Sequence, residues 1–455
     1  MSVDSKYLPW ERPPVPKRPR RGRAVILSAL GMSVLLGVAV VTTLGRCDTT
    51  DVHPPAEPSR DDCQSSVEFP GKLPGKLLVD PVAQAFAMDL LSRHPTELTI
   101  AVGLDMRTAR PLFVVVRRGD DPPTADLATA VQPRYPMASL AKIVTSAAAL
   151  ESGMDPFAFV TYLGRPHTLY KNQIRISDRG TEVSLAKAFA LSINPVFGKL
   201  GAKTLGQEAI FRWADSLGFN RRNGLGSGVP SGIMEKPADT FNLAEVSSGF
   251  VRTTFLSPVH AAMIVRKFAH DGVLRPPAWN HSPKDSGCEE SVIPDKPPYD
   301  GLSNLFQLTV DSGTARGGFH LAWPEEAREG FEVGGKTGSL DGTDPVGSYE
   351  WFAGYARVEG EPDSGIAVAV MTVNTGRHVL NASWTAASLL YWWARHDDEL
   401  GRAAAVANGD LSKERAAYSD DDKDALAERP WQRPWHRRRG RKHRDPATRS
   451  HPVHH

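Results

Sequence analysis

Apolar and polar residues change their spacing along the chain in a way that distinguishes strands from helices. Two short apolar runs with a turn-sized break between them, at residues 98–106 and 110–118, are typical of paired strands. Three more runs, at residues 331–338, 350–358 and 365–374, are separated by Gly- and Asp-rich turns. Short connections favour antiparallel pairing, so the five runs predict one five-stranded antiparallel sheet.

Between the second and third runs, apolar positions recur mainly at helical spacing. A last amphipathic or buried helix follows the fifth run. The segments predicted as helices are residues 136–152, 183–194, 207–217 and 379–396. A sheet covered by helices, with an all-helical subdomain inserted between two strands, is an α+β architecture. We therefore predict an α+β domain over residues 79–398, with a surface loop at 276–300.

The segment at residues 24–45 has a different pattern, with 22 consecutive uncharged residues rich in Leu, Val and Ala. As a helix it is long enough to cross a hydrocarbon layer of roughly 30 Å. Seven Lys or Arg residues precede it, which favours a cytoplasmic N-terminus and an extracytoplasmic body. A cleaved signal peptide is the competing interpretation, although its apolar core is usually shorter and no clear Ala-x-Ala site follows here. We expect a single-pass transmembrane helix.

Charge is concentrated at the two ends of the chain. Residues 1–23 carry a net charge of +5 and residues 429–455 carry +8, so the total of +2 leaves −11 for the rest. The basic ends are rich in Pro and Arg and have little patterned hydrophobicity, which argues against nucleic-acid binding. We predict a basic cytoplasmic tail over 1–23, a linker over 46–78 and a disordered, basic tail over 399–455. That last tail either binds anionic polymers or lipid headgroups by charge or is simply solvated.

Three cysteines lie beyond the apolar segment, in a compartment where disulfides form. Cys63 and Cys288 fall in polar segments away from the core patterns and are the pair that we favour. Cys47 is then free or intermolecular. Unpaired surface thiols remain an equally open interpretation.

A serine with a lysine three residues later opens the first predicted helix. Ser139 lies in its first turn, where the positive end of the helix favours developing negative charge. Lys142 lies one turn away on the same face, among apolar residues that disfavour its charged form. An amine pushed toward neutrality removes the proton of a neighbouring hydroxyl, as a serine nucleophile requires.

The same four letters recur at Ser184-Leu185-Ala186-Lys187, so the pattern alone does not identify the nucleophile. Ser184 is separated by only eight residues from Ser192, which belongs to a second polar motif, and this leaves no separate wall to form a cleft. We therefore interpret Ser184 as a helix N-cap.

Two further polar motifs follow Ser139 and Lys142 at separations that let independent elements converge. Ser192 and Asn194 stand at the predicted end of a helical run, where Pro195 forces a turn and the two side chains share a face. The Ser192 hydroxyl would relay a proton, and the Asn194 amide would bind substrate backbone or hold Lys142. The third motif follows a strand-like run on a predicted edge strand and consists of Lys336, Thr337, Gly338 and Ser339.

The third motif offers one cation and two hydroxyls to a substrate carboxylate. The backbone N–H groups of Ser139 and Ser339 are candidates for an oxyanion hole. Each motif alone also fits an ordinary structural role, and the functional prediction depends on all three occurring together in this order.

These motifs and their surroundings resemble the penicillin-binding protein transpeptidase family, in the same superfamily as the serine β-lactamases. The resemblance covers roughly residues 79–398. RYPMASLAKIVTSAAALESG is similar to the family's nucleophile helix, and VSLAKAFALSINPVFGKLGAKTLG to the segment around its second motif. FLSPVHAAMIVRKFAHDGVLRPP, VDSGTARGGF, GGKTGS and WFAGYA are similar to the stretches around its third. Ala138 departs from the family, many of whose members have Gly before the serine.

The resemblance implies a bacterial plasma-membrane enzyme whose catalytic domain is extracytoplasmic and needs neither cofactor nor metal. Its substrates would be D-Ala-D-Ala stem peptides of peptidoglycan, and β-lactams would be covalent inhibitors. Ser139 would be the acyl-accepting nucleophile, Lys142 the base and Ser192 the proton relay. Asn194 would position the substrate, and the third motif would bind the substrate carboxylate.

Several functions within this resemblance stay open. D,D-transpeptidase is favoured over D,D-carboxypeptidase, although only about 33 residues separate the apolar segment from the domain. A non-catalytic sensor of β-lactams or muropeptides is a third alternative, for which the tail over 1–23 is short. A β-lactamase fits less well, since no convincing deacylating Glu is found. Partners in the cell-wall synthesis machinery also remain open.

Overall fold

Most of the predicted domain is described by the structure, which is a computed structural model. The described residues are 73, 77–177, 179–279, 299–376 and 380–406. The predictions on the N-terminal tail, the apolar segment 24–45, the three cysteines and residues 407–455 lie outside this set, as do most of the predicted linker 46–78 and residues 280–298 of the predicted surface loop. Within the described ranges, no helix is both long enough and apolar enough to cross a membrane.

Five strands of the described residues follow the predicted apolar runs, and four shorter strands, β3 to β6, were not predicted. In chain order they are β1 Thr96–Asp105, β2 Pro111–Gly119, β3 Tyr135–Pro136, β4 Phe159–Tyr162, β5 Thr181–Ser184, β6 Phe255–Leu256, β7 Phe331–Thr343, β8 Val346–Val358 and β9 Gly365–Asn374. Five of them form one sheet in the order β2-β1-β9-β8-β7. All neighbouring pairs in this sheet are antiparallel, which confirms the predicted pairing. Strand β7 lies at one edge.

Most helices lie between β2 and β7 in the sequence, whereas α1 precedes β1 and α11 follows β9. Together they cover the sheet. They are α1 Pro81–Ser92, α2 Leu127–Ala130, α3 Ala141–Glu151, α4 Leu185–Ala190, α5 Asn194–Lys199, α6 Gly206–Ser216, α7 Thr240–Ser248, α8 Pro258–Ala269, α9 Tyr299–Asp311, α10 Arg316–Ala322 and α11 Ala382–Val406. Helix α11 ends beyond residue 398, where the sequence predicts the domain to end.

Each face of the sheet is covered by a different group of helices. Helices α1, α10 and α11 pack on one face, where Phe113, Trp323 and Leu390 are buried in one cluster. Helices α8 and α9 pack on the other face, and the insertion with the predicted site lies on this side. Every residue of β9 is buried, because this strand has neighbours on both sides and helices on both faces. The α+β architecture is confirmed.

Two predicted helices are wrong in detail, and both differences lie near the candidate site. In the segment 136–152, Tyr135–Pro136 pairs with Phe255–Leu256 as a short strand, and a 3₁₀ turn at Ala138–Leu140 precedes α3. The segment 183–194 divides into the end of β5, α4 and the first residue of α5. Its division follows from Ser192, whose positive φ of 56° interrupts a helix, and Pro195 then stands in the first turn of the next one.

Candidate active site

The turn that carries Ser139 is held from several sides. Trp351 on β8 donates its indole N–H to the Pro136 carbonyl at 2.9 Å, and the Met137 N–H donates to the Thr254 carbonyl at 2.9 Å. Ala138 has a positive φ of 50°, a conformation that costs a residue with a Cβ but suits glycine. Ser139 follows, partly exposed, in the 3₁₀ turn that leads into α3.

Lys142 is completely buried beneath this turn, and its amine contacts three oxygens. Its Nζ lies 2.7 Å from Ser139 Oγ, 2.8 Å from Asn194 Oδ1 and 2.5 Å from the Ser248 carbonyl oxygen. The first contact is within one helical turn, whereas the other two connect α3 to α5 and to the end of α7. Lys142 is therefore the point at which three separate elements of the chain meet.

The surroundings of Lys142 favour its neutral form. Burial lowers its pKa well below the ordinary value, and the charge of Lys336 lowers the pKa further. An amide oxygen and a backbone carbonyl only accept hydrogen bonds, so Asn194 and Ser248 take two N–H bonds of the amine. A neutral amine has only two N–H bonds, and its lone pair then faces the Ser139 hydroxyl. This arrangement suits removal of the hydroxyl proton.

The turn between α4 and α5 carries Ser192 and Asn194. The Ser192 N–H donates to the Phe189 carbonyl at 3.0 Å, and the Asn194 N–H donates to the Pro166 carbonyl at 2.7 Å. Both side chains are largely buried, at 7% and 6% exposure. Asn194 accepts from Lys142, which is one of the two roles expected for it from the sequence.

Strand β7 forms the opposite wall. Lys336 is fully buried, and its amine donates to Ser192 Oγ at 3.1 Å and to the Thr337 carbonyl at 2.8 Å. Burial lowers the pKa of Lys336 to about 7. The Thr337 hydroxyl is hydrogen-bonded to the hydroxyl of Thr314, and Ser339 is exposed.

Gly338 lets β7 approach the turn before the serine. A Cβ at Gly338 would lie 3.3 Å from Ala138 Cβ, slightly tighter than ordinary contact, and 3.4 Å from the Met137 carbonyl oxygen. The strand is thereby held directly beside the Ser139 turn. The oxyanion role of the Ser139 and Ser339 N–H groups stays a prediction.

The C-terminal end of α7 is a part of the site that the motifs do not reveal. The Ser247 carbonyl accepts from Thr145 Oγ1 at 2.7 Å, and the next carbonyl, of Ser248, accepts from Lys142. Gly249 ends the helix with a left-handed φ of 69°. The Ser-Ser-Gly letters indicate a helix end, but a backbone carbonyl carries no side-chain signal.

The structure brings the predicted residues of all three motifs to one cleft and leaves the alternative serine outside it. Lys142 is hydrogen-bonded to Ser139 and Asn194, and Lys336 is hydrogen-bonded to Ser192, two residues before Asn194. Ser184 instead caps α4, accepting from the Lys187 N–H at 3.2 Å, as predicted. No group of three His, Cys, Asp or Glu residues suited to a metal ion occurs in the described part of the chain.

Comparison with known proteins agrees with this arrangement. The model of the penicillin binding protein transpeptidase domain matches residues 99–388. The chain is 25% identical over 331 residues to the peptidoglycan D,D-transpeptidase PbpA of Mycolicibacterium smegmatis. That alignment covers 69% of this chain and 62% of the relative, so the chain spans less than two thirds of that protein.

Solved structures show the same fold. The crystal structure of PBPA from Mycobacterium tuberculosis has a TM-score of 0.53 and 22% identity, covering 70% of this chain and 79% of that one. The D,D-transpeptidase domain of a peptidoglycan glycosyltransferase from Eggerthella lenta also has a TM-score of 0.53, at 21% identity over 70% of this chain and 82% of that one.

Gly249→Ala should destabilise the protein more than Gly153→Ala. Both glycines follow the end of a helix and have positive φ angles, 69° and 84°, so alanine at either position costs roughly 1–2 kcal/mol. A methyl group at Gly249 would overlap the Ala138 carbonyl oxygen, whereas nothing lies within 4 Å of one at Gly153. The overlap should add about 1–3 kcal/mol, measured as the free energy of unfolding in denaturant. Equal losses for the two variants would contradict this close packing.

Proposed function

The chain belongs to the penicillin-binding protein transpeptidase family, and from this we propose that it is a membrane-anchored D,D-transpeptidase that forms an acyl-enzyme at Ser139. Its substrates would be D-Ala-D-Ala stem peptides of peptidoglycan, and β-lactams would acylate the same serine. The observation that carries the proposal is the buried Lys142 amine, which lies 2.7 Å from the Ser139 hydroxyl. Its lowered pKa favours the neutral form that can act as a base.

The first half of the reaction breaks the terminal peptide bond. Lys142 removes the Ser139 proton as Oγ attacks the carbonyl carbon of the penultimate D-Ala. The Ser192 hydroxyl donates its proton to the leaving nitrogen and regains the one that Lys142 took from Ser139, so Lys142 is neutral again and Lys336 stays cationic. The C–N bond breaks, D-Ala leaves, and an ester joins the peptide to Ser139.

The second half runs in the opposite sense with a different nucleophile. The amine of a second stem peptide attacks the ester carbonyl, its proton passes through Ser192 and Lys142 to Ser139 Oγ, and the ester C–O bond breaks. A new C–N bond then cross-links the two peptides. Water in place of the amine gives D,D-carboxypeptidase activity. A protein that forms the ester but does not release it would instead be a sensor of β-lactams or muropeptides.

Substrate selection would depend on the terminal carboxylate. Among the described residues, the hydrogen-bond partners of Lys336 include no carboxylate, and Ser339 is exposed three residues along the same edge strand. A carboxylate at this position would accept a charge-assisted hydrogen bond from the lysine and another from a hydroxyl. The cation would also hold the peptide against β7, with its scissile carbonyl toward Ser139.

Acylation by a fluorescent penicillin should require Ser139 and not Ser184. Ser139→Ala removes the nucleophile and should abolish labelling, whereas Ser184→Ala removes only a helix cap and should keep it. The cap loss should cost about 1 kcal/mol of stability. Labelling is read by gel fluorescence and by the mass of the intact adduct. Adduct formation in Ser139→Ala would contradict the assignment.

The same experiment continues with a pentapeptide that ends in D-Ala-D-Ala. Release of D-Ala together with incorporation of an added amine supports the transpeptidase, and release with water alone identifies the carboxypeptidase. Penicillin labelling without turnover identifies a sensor. Purified wild-type protein is compared with Ser139→Ala in each assay.

The acylation rate should depend on pH in a bell shape. The rate rises as Lys142 loses its proton and becomes a base, and its low pKa places this rise on the acidic side. The rate falls as Lys336 loses its charge, near its pKa of about 7 in the free enzyme. Lys336→Arg keeps a cation and should move the fall to higher pH.

The matched control for this profile is Lys187→Arg. Lys187 is exposed on α4, so its replacement should leave the acidic and alkaline limbs of the pH profile unchanged. The measurement is the second-order rate constant of acylation by a β-lactam from pH 5 to pH 10. An unchanged alkaline limb in Lys336→Arg would show that another group controls it.

Membrane anchoring is proposed for residues 24–45 on the basis of their uncharged, apolar sequence. The full chain should stay with bacterial membranes through carbonate washing and be released by detergent. Mass spectrometry of the membrane-bound protein should recover peptides from residues 1–23. A protein that begins after residue 45 would instead identify a cleaved signal peptide.

A further inference from the structure

The loop between α9 and α10 touches both walls of the cleft, although none of its residues belongs to the three motifs. Thr314 donates its backbone N–H to the Ala190 carbonyl at 2.9 Å. Gly313 lies so close that a Cβ there would overlap the same carbonyl. The loop is therefore seated on the end of α4 by its backbone, independently of the Thr314 side chain.

The Thr314 hydroxyl extends this contact to β7. Its Oγ1 lies 3.3 Å from the Ala190 carbonyl oxygen and is also hydrogen-bonded to Thr337 Oγ1. A carbonyl only accepts, so the Thr314 proton is directed to Ala190 and the Thr337 hydroxyl donates to Thr314. A chain of two hydrogen bonds thus runs from β7 to the end of α4.

The two ends of this chain adjoin two residues of the site. Ala190 is two residues before Ser192, and Thr337 follows Lys336 directly. Lys336 Nζ and Ser192 Oγ are 3.1 Å apart, so the hydroxyl link runs alongside the lysine–serine contact and between the same elements.

We infer that Thr314 is a positioning residue, which sets the separation of Ser192 and Lys336 through the Thr337–Thr314–Ala190 link. The inference rests on the proposed function, since Ser192 and Lys336 act there on the leaving group and the carboxylate. The Thr314 hydroxyl also orients Thr337. Because the Thr337 hydroxyl donates its proton to Thr314, it presents an acceptor rather than a donor to the cleft. The carboxylate would then rely on Lys336 and Ser339.

The test compares Thr314→Val, which removes the hydroxyl at nearly constant shape, with Thr314→Ser, which retains it. Ser312→Ala is the matched control, because that exposed hydroxyl in the same loop bonds to the Leu308 carbonyl of α9 and to no other group of the described residues. Rapid-mixing kinetics with a fluorescent penicillin separate the initial dissociation constant from the acylation rate constant. Thr314→Val should lower the rate constant about fivefold to tenfold with little change in the dissociation constant. Thr314→Ser and Ser312→Ala should resemble the wild type.

A second series combines Thr314→Val with Thr337→Val. Because both changes break one link, the double variant should be about as slow as the slower single variant. Thermal unfolding of the wild type, the two single valine variants and the double variant gives a readout that does not require acylation. The shifts in Tm should likewise be less than additive.

Two outcomes would overturn the inference. A weaker dissociation constant with an unchanged acylation rate would make Thr314 a substrate-contacting residue. Fully additive effects of the two valine substitutions would show that the hydroxyls do not act together. Failure of the wild type to form any adduct would instead overturn the proposed function, and the unfolding series would still report whether the link exists.

Discussion

The site depends on one buried amine that is surrounded by neutral oxygens. Lys142 is fully inaccessible, and the partners of its Nζ in the described structure are a hydroxyl, an amide and a backbone carbonyl. A carboxylate in any of these places would hold the lysine as a cation and remove its use as a base. Neutral acceptors instead satisfy its N–H bonds without stabilising the charge strongly. The contacts of this one side chain require α3, α5 and the end of α7 to meet.

Other contacts in the insertion hold in place the backbone segments that surround Lys142. Two of the non-glycine residues with positive φ, Ala138 and Ser192, lie at the start of the nucleophile turn and in the second motif. Such conformations persist only where the surroundings determine them, and they cluster at functional sites. Here Trp351 and Gly249 hold the first turn, while the Phe189 carbonyl and the Lys336 amine hold Ser192. The sheet contributes its edge strand β7, against which these helical segments pack.

Much of this arrangement could be predicted from the sequence, because apolar periodicity and polar motifs are local signals. The five strands, the edge position of β7 and the capping role of Ser184 follow from such signals. The division of the segment 183–194 at Ser192 could not be predicted, since serine has no marked preference for a left-handed φ. The Ser248 carbonyl and the Thr314 link were also missed, because a backbone acceptor and a lone hydroxyl 23 residues before Thr337 become relevant only when the chain is folded.

The two lysines connect substrate binding with acid–base chemistry. Each is fully buried, and the charge of Lys336 is one of the causes of the low pKa of Lys142. In the proposed reaction the substrate carboxylate supplies the negative charge that Lys336 lacks in the free protein, so binding raises the pKa of Lys336 and keeps it cationic. A cationic Lys336 in turn disfavours a proton on Lys142, and the base is therefore kept neutral while substrate is bound. When Lys142 takes the Ser139 proton, the repulsion between the two cations favours passing that proton on toward Ser192. The same pair of charges would thus favour both the start and the completion of acylation.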